Sequence, residues 1–118
     1  MPLIARGAGS GDVVTCVAHG APGPGSDPCG KDLVLPLTNL CSPTVFVADV
    51  GAVRNGDLMM AHPRHYSTPL CAPHTPPCVT YSPNVYANDL EIARQGDTYF
   101  EVNNHIITQV TQTTVFAN

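Results

Sequence analysis

At 118 residues, with 12 Pro, 10 Gly and only 12% charged residues, the chain is expected to form one small domain of turns and short strands, because Pro removes a backbone donor and Gly costs ordering entropy. A net charge of −4 with five Lys and Arg offers no basic stripe to neutralise phosphates, which argues against nucleic acid or an anionic membrane surface as partner. The start lacks a basic region followed by an apolar run, and no apolar stretch is long enough to span a membrane, so no signal peptide is expected and the five Cys read as thiols or metal ligands rather than a disulfide framework.

In chain order, an apolar segment, Pro2-Leu3-Ile4-Ala5-Arg6, leads to Gly11-Asp12, then to Cys16 and His19-Gly20. A Pro-rich loop, Ala21 to Leu40, follows, flanked by Cys29 and Cys41, which read as small buried residues or as a disulfide; Cys71 with Cys78 is the other possible pair. Ser42 to Asp57 reads as strand, tight turn, strand: Val45-Phe46-Val47, the turn Ala48-Asp49, then an apolar stretch ending at Arg54 before Gly56-Asp57. Met59 and Met60, expected in the core, precede a stretch with His62, His65, Cys71 and His74.

Ser82 to Asp97 repeats Ser42 to Asp57 at an offset of 40, with seven of sixteen positions identical. Its turn is Asn88-Asp89, a pair that tolerates the positive φ of a two-residue hairpin. Arg54 and Arg94, at equivalent strand ends, are expected to bond loop carbonyls or Asp57 and Asp97. After His105 the chain ends in Val115-Phe116-Ala117-Asn118, which lies on Val85-Tyr86-Ala87-Asn88; Pro2 to Arg6 and Gly11-Asp12 supply the rest of a third copy. The reading is one domain, 1–118, of three repeats with the third split across the termini, closed into a ring so that the last strand meets the first and fewer edges are exposed.

Ser-Pro-x-Val, a hairpin turn, an apolar-Arg segment and Gly-Asp together resemble the PAAR-repeat family over nearly the whole chain. The four-letter signature appears loosely as Pro2-Leu3-Ile4-Ala5-Arg6, Gly51-Ala52-Val53-Arg54 and Glu91-Ile92-Ala93-Arg94. The resemblance implies an all-β cone of short hairpins with three-fold pseudo-symmetry, a metal held near its apex by His and Cys, and a flat base on the blunt end of a trimeric β-helical spike, one monomer per trimer. Such a cap tips the membrane-puncturing spike of a contractile injection machine, in a phage tail baseplate, a pyocin-like particle or a type VI secretion system, and meets the target outer membrane transiently. The unfused length, with no effector extension after Asn118, and the His spacing favour the virion. Carried over residue by residue, the layout points to His19, His62, His74 and His105 as metal ligands, with His105 where the family pattern has Cys and with Cys16, His65 and Cys71 as substitutes. The strands starting at Ser42, Ser82 and Gln112 are expected to form the base, with Val45, Val85 and Val115 against the spike.

The residue types support a metal on their own terms. A lone His is usually hydrogen-bonded or solvated, but here the His and Cys fall in the segments that follow each Gly-Asp, where the copies diverge. Imidazoles and thiolates converging from three units suit one structural Zn²⁺, and imidazole suits Fe²⁺ also. An enzyme is not expected: a zinc hydrolase needs an open coordination position and a carboxylate base, there is no H-E-x-x-H, and Glu101 is the only acid close to a candidate ligand. A stand-alone metal-binding or redox module is the other alternative, and the sequence has no C-x-x-C pair.

Overall fold

The computed structural model of the protein describes residues 1–16, 33–37, 41–63, 73–100 and 105–118. Among these the fold is all-β. The strands are β1 (Val13–Cys16), β2 (Leu33–Pro36), β3 (Phe46–Val47), β4 (Val50–Gly51), β5 (His62–Pro63), β6 (Pro73–His74), β7 (Tyr86–Ala87), β8 (Leu90–Glu91) and β9 (His105–Gln109). They form a three-stranded antiparallel sheet in the order β2-β1-β9 and three two-stranded ribbons, β3-β4, β5-β6 and β7-β8.

The hairpins β3-β4 and β7-β8 turn at Ala48-Asp49 and Asn88-Asp89, and all four turn residues have positive φ, between 47° and 70°. That is the backbone of a two-residue hairpin loop whose twist matches its strands. Each Gly-Asp step needs Gly for the same kind of reason: Gly11, Gly56 and Gly96 sit at φ 85°, 85° and 93°. The Asp that follows turns back on the Arg before it. Asp12, Asp57 and Asp97 each accept from the backbone N–H of Arg6, Arg54 and Arg94, at 2.9, 2.8 and 2.7 Å, and from the guanidinium of the same residue. Arg6–Asp12 is the most buried of the three ion pairs. Removing Asp12 would strand a buried guanidinium, a loss of about 3–5 kcal/mol.

Three short segments meet at the centre, and their backbone bonds run in a cycle. Ala5 N–H donates to Ala93 O at 3.0 Å, Ala93 N–H to Val53 O at 2.9 Å, and Val53 N–H to Ala5 O at 3.1 Å. A second cycle surrounds it: Gly7 to Gly51 at 2.9 Å, Asn55 to Glu91 at 2.8 Å and Gln95 to Leu3 at 2.8 Å. The two ends of the chain are antiparallel neighbours. Leu3 bridges Phe116, Ile4 N–H donates to Val115 O and Ala117 N–H to Pro2 O, both at 3.0 Å.

Successive residues of an extended segment point to opposite sides, so this ring separates two apolar clusters. Ile4, Ala52 and Ile92 face one side, where Val47, Ala87 and Ala117 of the hairpin segments bury, with Val45 and Val85 half-buried against them. Ala5, Val53 and Ala93 face the other, packed with Val14, Met59, Cys78, Tyr99 and Ile107. Met59 is therefore core, but Met60 is not: it is 39% exposed, because neighbouring residues of an extended chain cannot share a face. Cys16, Cys41 and Cys78 are thiols; Cys29 and Cys71, the other halves of the possible disulfides, lie outside the described residues.

Candidate metal centre

Beyond the second cluster the strands lead away from the ring to a group of His and Cys. Two antiparallel pairings build it. In the β1-β9 ladder Cys16 stands opposite His105, and in the β5-β6 ribbon His62 stands opposite His74. Residues directly opposite have Cβ atoms roughly 4.5–5.5 Å apart on one face, so each pairing delivers two candidate ligands side by side. Cys16 is inward by strand parity, two residues on from the core residue Val14.

The three imidazoles converge on one point through the same ring atom. His62 Nε2 lies 3.1 Å from His105 Nε2 and 2.9 Å from His74 Nε2, and the ring centroids are 4.4–5.3 Å apart. Ligand atoms of Cys16, His62 and His105 lie within 4.8 Å of one another, and all three residues are buried. These three form a cluster that can hold a metal ion.

The outer ring nitrogens explain why. His62 Nδ1 is 2.9 Å from Met60 O, and His105 Nδ1 is 2.7 Å from Phe100 O. A carbonyl only accepts, so Nδ1 carries the proton in each ring, and in the neutral imidazole Nε2 is left with its lone pair. Two lone pairs then face each other at 3.1 Å inside the protein. A cation between them resolves that repulsion. Two imidazole nitrogens on a tetrahedral zinc stand about 3.3 Å apart, given metal–nitrogen bonds of about 2.05 Å, close to the spacing found. Backbone carbonyls on the outer nitrogens are also the usual means of fixing the tautomer and orientation of metal-binding His. The donor set, imidazole nitrogen and thiol sulfur, fits zinc or iron.

Of the residues expected to bind metal, His62, His74 and His105 are brought together with Cys16, which the sequence offered only as a substitute. His19, His65 and Cys71 lie outside the described residues, as does Glu101. The carboxylates of the three Gly-Asp steps are held by Arg6, Arg54 and Arg94. Cys78, in the core between ring and cluster, has its thiol pushed up to about 12, chiefly by burial and then by the nearby carboxylates of Asp97 and Asp57. It stays neutral there, and its Sγ donates to Thr80 O at 3.4 Å. No family model and no curated protein matches the chain.

Proposed function

We propose that the chain is a PAAR-like cap, the tip of the membrane-puncturing spike of a contractile injection machine, in a phage tail baseplate or a related secretion device. The observation that carries this reading is the cycle of backbone bonds among residues 3–7, 51–55 and 91–95. A single chain can sit on the axis of a trimer only if it offers nearly the same surface three times, and a cycle of equivalent bonds is how one chain does so. The turn side of the ring, with its apolar hairpin residues Val45, Val85 and Val115, is the base against a trimeric β-helical spike. The hairpin edges continue the strand pairing of the spike.

On this reading the ring is a three-fold pseudo-symmetric layer of a cone, and the His cluster, on the far side of the second core, lies toward the apex. Cys16, His62, His74 and His105 hold one Zn²⁺ or Fe²⁺, closing the coordination sphere so that the ion is structural. It ties together segments of little apolar area where the tip meets the target outer membrane. With four ligands the coordination sphere is closed, which leaves no open position for the water that a hydrolytic site needs.

The test is native mass spectrometry of the chain mixed with the spike trimer encoded in the same gene cluster. One chain per trimer is the expected result. A three-to-three complex, or none, overturns the assignment.

A further inference from the structure

The ring has three sides, and they are not closed in the same way. On each, the amide of one arm donates to the other arm: Ala52 N–H to Val45 O at 3.0 Å, Ile92 N–H to Val85 O at 2.9 Å and Ile4 N–H to Val115 O at 3.0 Å. On the first two sides the arms run into one another through the turns Ala48-Asp49 and Asn88-Asp89. On the third they come from opposite ends of the chain, and no turn joins them. Its pairing is also the poorer one. Pro2 accepts from Ala117 N–H at 3.0 Å but has no N–H to return, whereas Val50 and Leu90, which hold its place in the hairpins, each have one.

Each of these two arms continues into one strand. The first runs through Arg6 and Asp12 into β1; the last is reached from β9 through Thr111 and Gln112. The two strands pair with each other, from Val13 opposite Gln109 to Cys16 opposite His105. Where ladder and ring meet, Thr111 N–H donates to Asp12 Oδ1 at 2.8 Å, Arg6 Nη2 donates to Thr111 Oγ1 at 2.6 Å, and Arg6 and Asp12 form their buried ion pair. The ladder therefore starts at the third side of the ring and ends at the candidate metal centre. Each of its strands brings one candidate ligand there, Cys16 and His105.

An ion held by Cys16 and His105 bonds together the two strands whose other ends carry the unjoined arms. We infer that the metal is the clasp of the ring: by tying β1 to β9 it does for the third side what the turns Ala48-Asp49 and Asn88-Asp89 do for the other two. Two pairing segments linked at one point stay at high effective concentration, so their separation becomes rare and brief. Chain ends without such a tie fray. A structural ion on the far side of the second cluster thereby sets the integrity of the turn side, the opposite face of the molecule. This rests on the metal-binding part of the reading above and not on the spike as partner.

The experiment is amide hydrogen exchange, read by proton–nitrogen spectra, on the full chain loaded with Zn²⁺ and on the same chain stripped by a chelator, with zinc content measured in both. The three sides supply their own control. Ile4 N–H should exchange at least about tenfold faster in the stripped chain, while Ala52 and Ile92, its counterparts on the turn-joined sides, change less than about threefold. The central amides of Ala5, Val53 and Ala93 should keep their protection. Cys16→Ser, measured with excess zinc, should speed up Ile4 in the same way whether or not three imidazoles retain the ion, because β1 is then no longer bonded to it. Equal acceleration at Ile4, Ala52 and Ile92, total loss of protection included, would mean that the ion holds the fold as a whole and overturns the clasp. So would an Ile4 amide in stripped chain or in Cys16→Ser that stays as protected as in the loaded wild type. If the folded wild type takes up no zinc, clasp and metal centre fall together, and the spike-cap assignment keeps its separate test.

Discussion

Around Ala5, Val53 and Ala93 equivalent segments are tied to one another by backbone bonds; around Cys16, His62, His74 and His105 two unlike ladders bring candidate ligand side chains together. In the first region the three bonds of each cycle are counterparts of one another, and so are the caps that start the hairpin segments. Ser42 Oγ accepts from Val45 N–H at 2.8 Å, Ser82 Oγ from Val85 N–H at 3.1 Å, and in the third copy Gln112 Oε1 accepts from Val115 N–H at 2.9 Å. In the second region the copies share a start and then diverge: Val13, Leu58 and Thr98 each bridge a returning segment, at Pro36, Pro77 and Ile106, but further on Cys16 belongs to a three-stranded sheet and His62 and His74 to a two-residue ribbon. Where the backbone closes on itself the sequence has to repeat. Where candidate ligand atoms need only meet at a point, the segments that carry them are free to differ.

The largest effect is expected from opening the ring. Removing 113–118 takes away the acceptor of Ile4 N–H, the Ala117 bond to Pro2 and the buried side chain of Ala117. With one of three sides gone, strand edges and both clusters are exposed together. The truncated chain should not fold, as read from the loss of amide dispersion in its proton–nitrogen spectrum. A dispersed spectrum with protected Ala5, Val53 and Ala93 amides would show that the ring stands without its last side.

Emptying the cluster should do less and do it locally. The chain purified without added metal is expected to contain about one zinc or iron ion, and His62→Ala, which removes the imidazole lying between the other two, should bring this close to zero. Stability should fall by roughly 3 kcal/mol or more, since an ion bound only by the folded state adds its binding energy to folding. Hydrogen exchange would then speed up in β1, β5, β6 and β9 while the ring amides keep their protection. Wild-type protein that is folded and metal-free by elemental analysis sinks the idea.

Much of the ring was legible in the sequence, because its requirements are local. Gly-Asp after Arg fixes a positive φ and an ion pair three residues apart at Arg54–Asp57 and Arg94–Asp97 and six apart at Arg6–Asp12, Asn88-Asp89 specifies a hairpin turn, and the match of Val115-Phe116 to Val85-Tyr86 placed the last segment beside Leu3 and Ile4. The high Pro and Gly content gave the all-β class for the same reason. The cluster was legible only as an inventory. That Cys16 stands opposite His105 depends on the register between β1 and β9, strands from opposite ends of the chain, and no short-range pattern encodes it. Strand parity was the one usable signal, as it places Cys16 in phase with buried Val14. It would also have turned Met60 outward. Gln112 hid its role because a long amide there does the work of a Ser hydroxyl and more, its Nε2 donating to Ile4 O at 3.1 Å.

The smallest effect concerns the joint between the two regions. Cys78 takes Asp57 O through its N–H at 2.8 Å, gives its carbonyl to Gly56 N–H at 3.0 Å and bridges to Tyr99, so it touches ring and cluster sides alike. Its thiol is raised in the folded state from 9.0 to about 12, mainly because burial disfavours the thiolate. A raised folded value means that this contribution is complete below pH 9 and is lost as pH climbs toward about 12, since the unfolded chain ionises first. At pH 10 the loss should be about 1 kcal/mol relative to pH 8. Tyr99, also raised by burial, adds to it at higher pH. Cys78→Ala should show a shallower decline between pH 8 and 10 in urea titrations, whatever the mutation costs at pH 8. A decline equal to that of the wild type would remove Cys78 from the account. Unlike metal removal, alkali should loosen the ring amides and the strands of the cluster together, because the group that titrates lies in the core they share. Exchange that accelerates on one side only would mean that the two regions unfold as separate units.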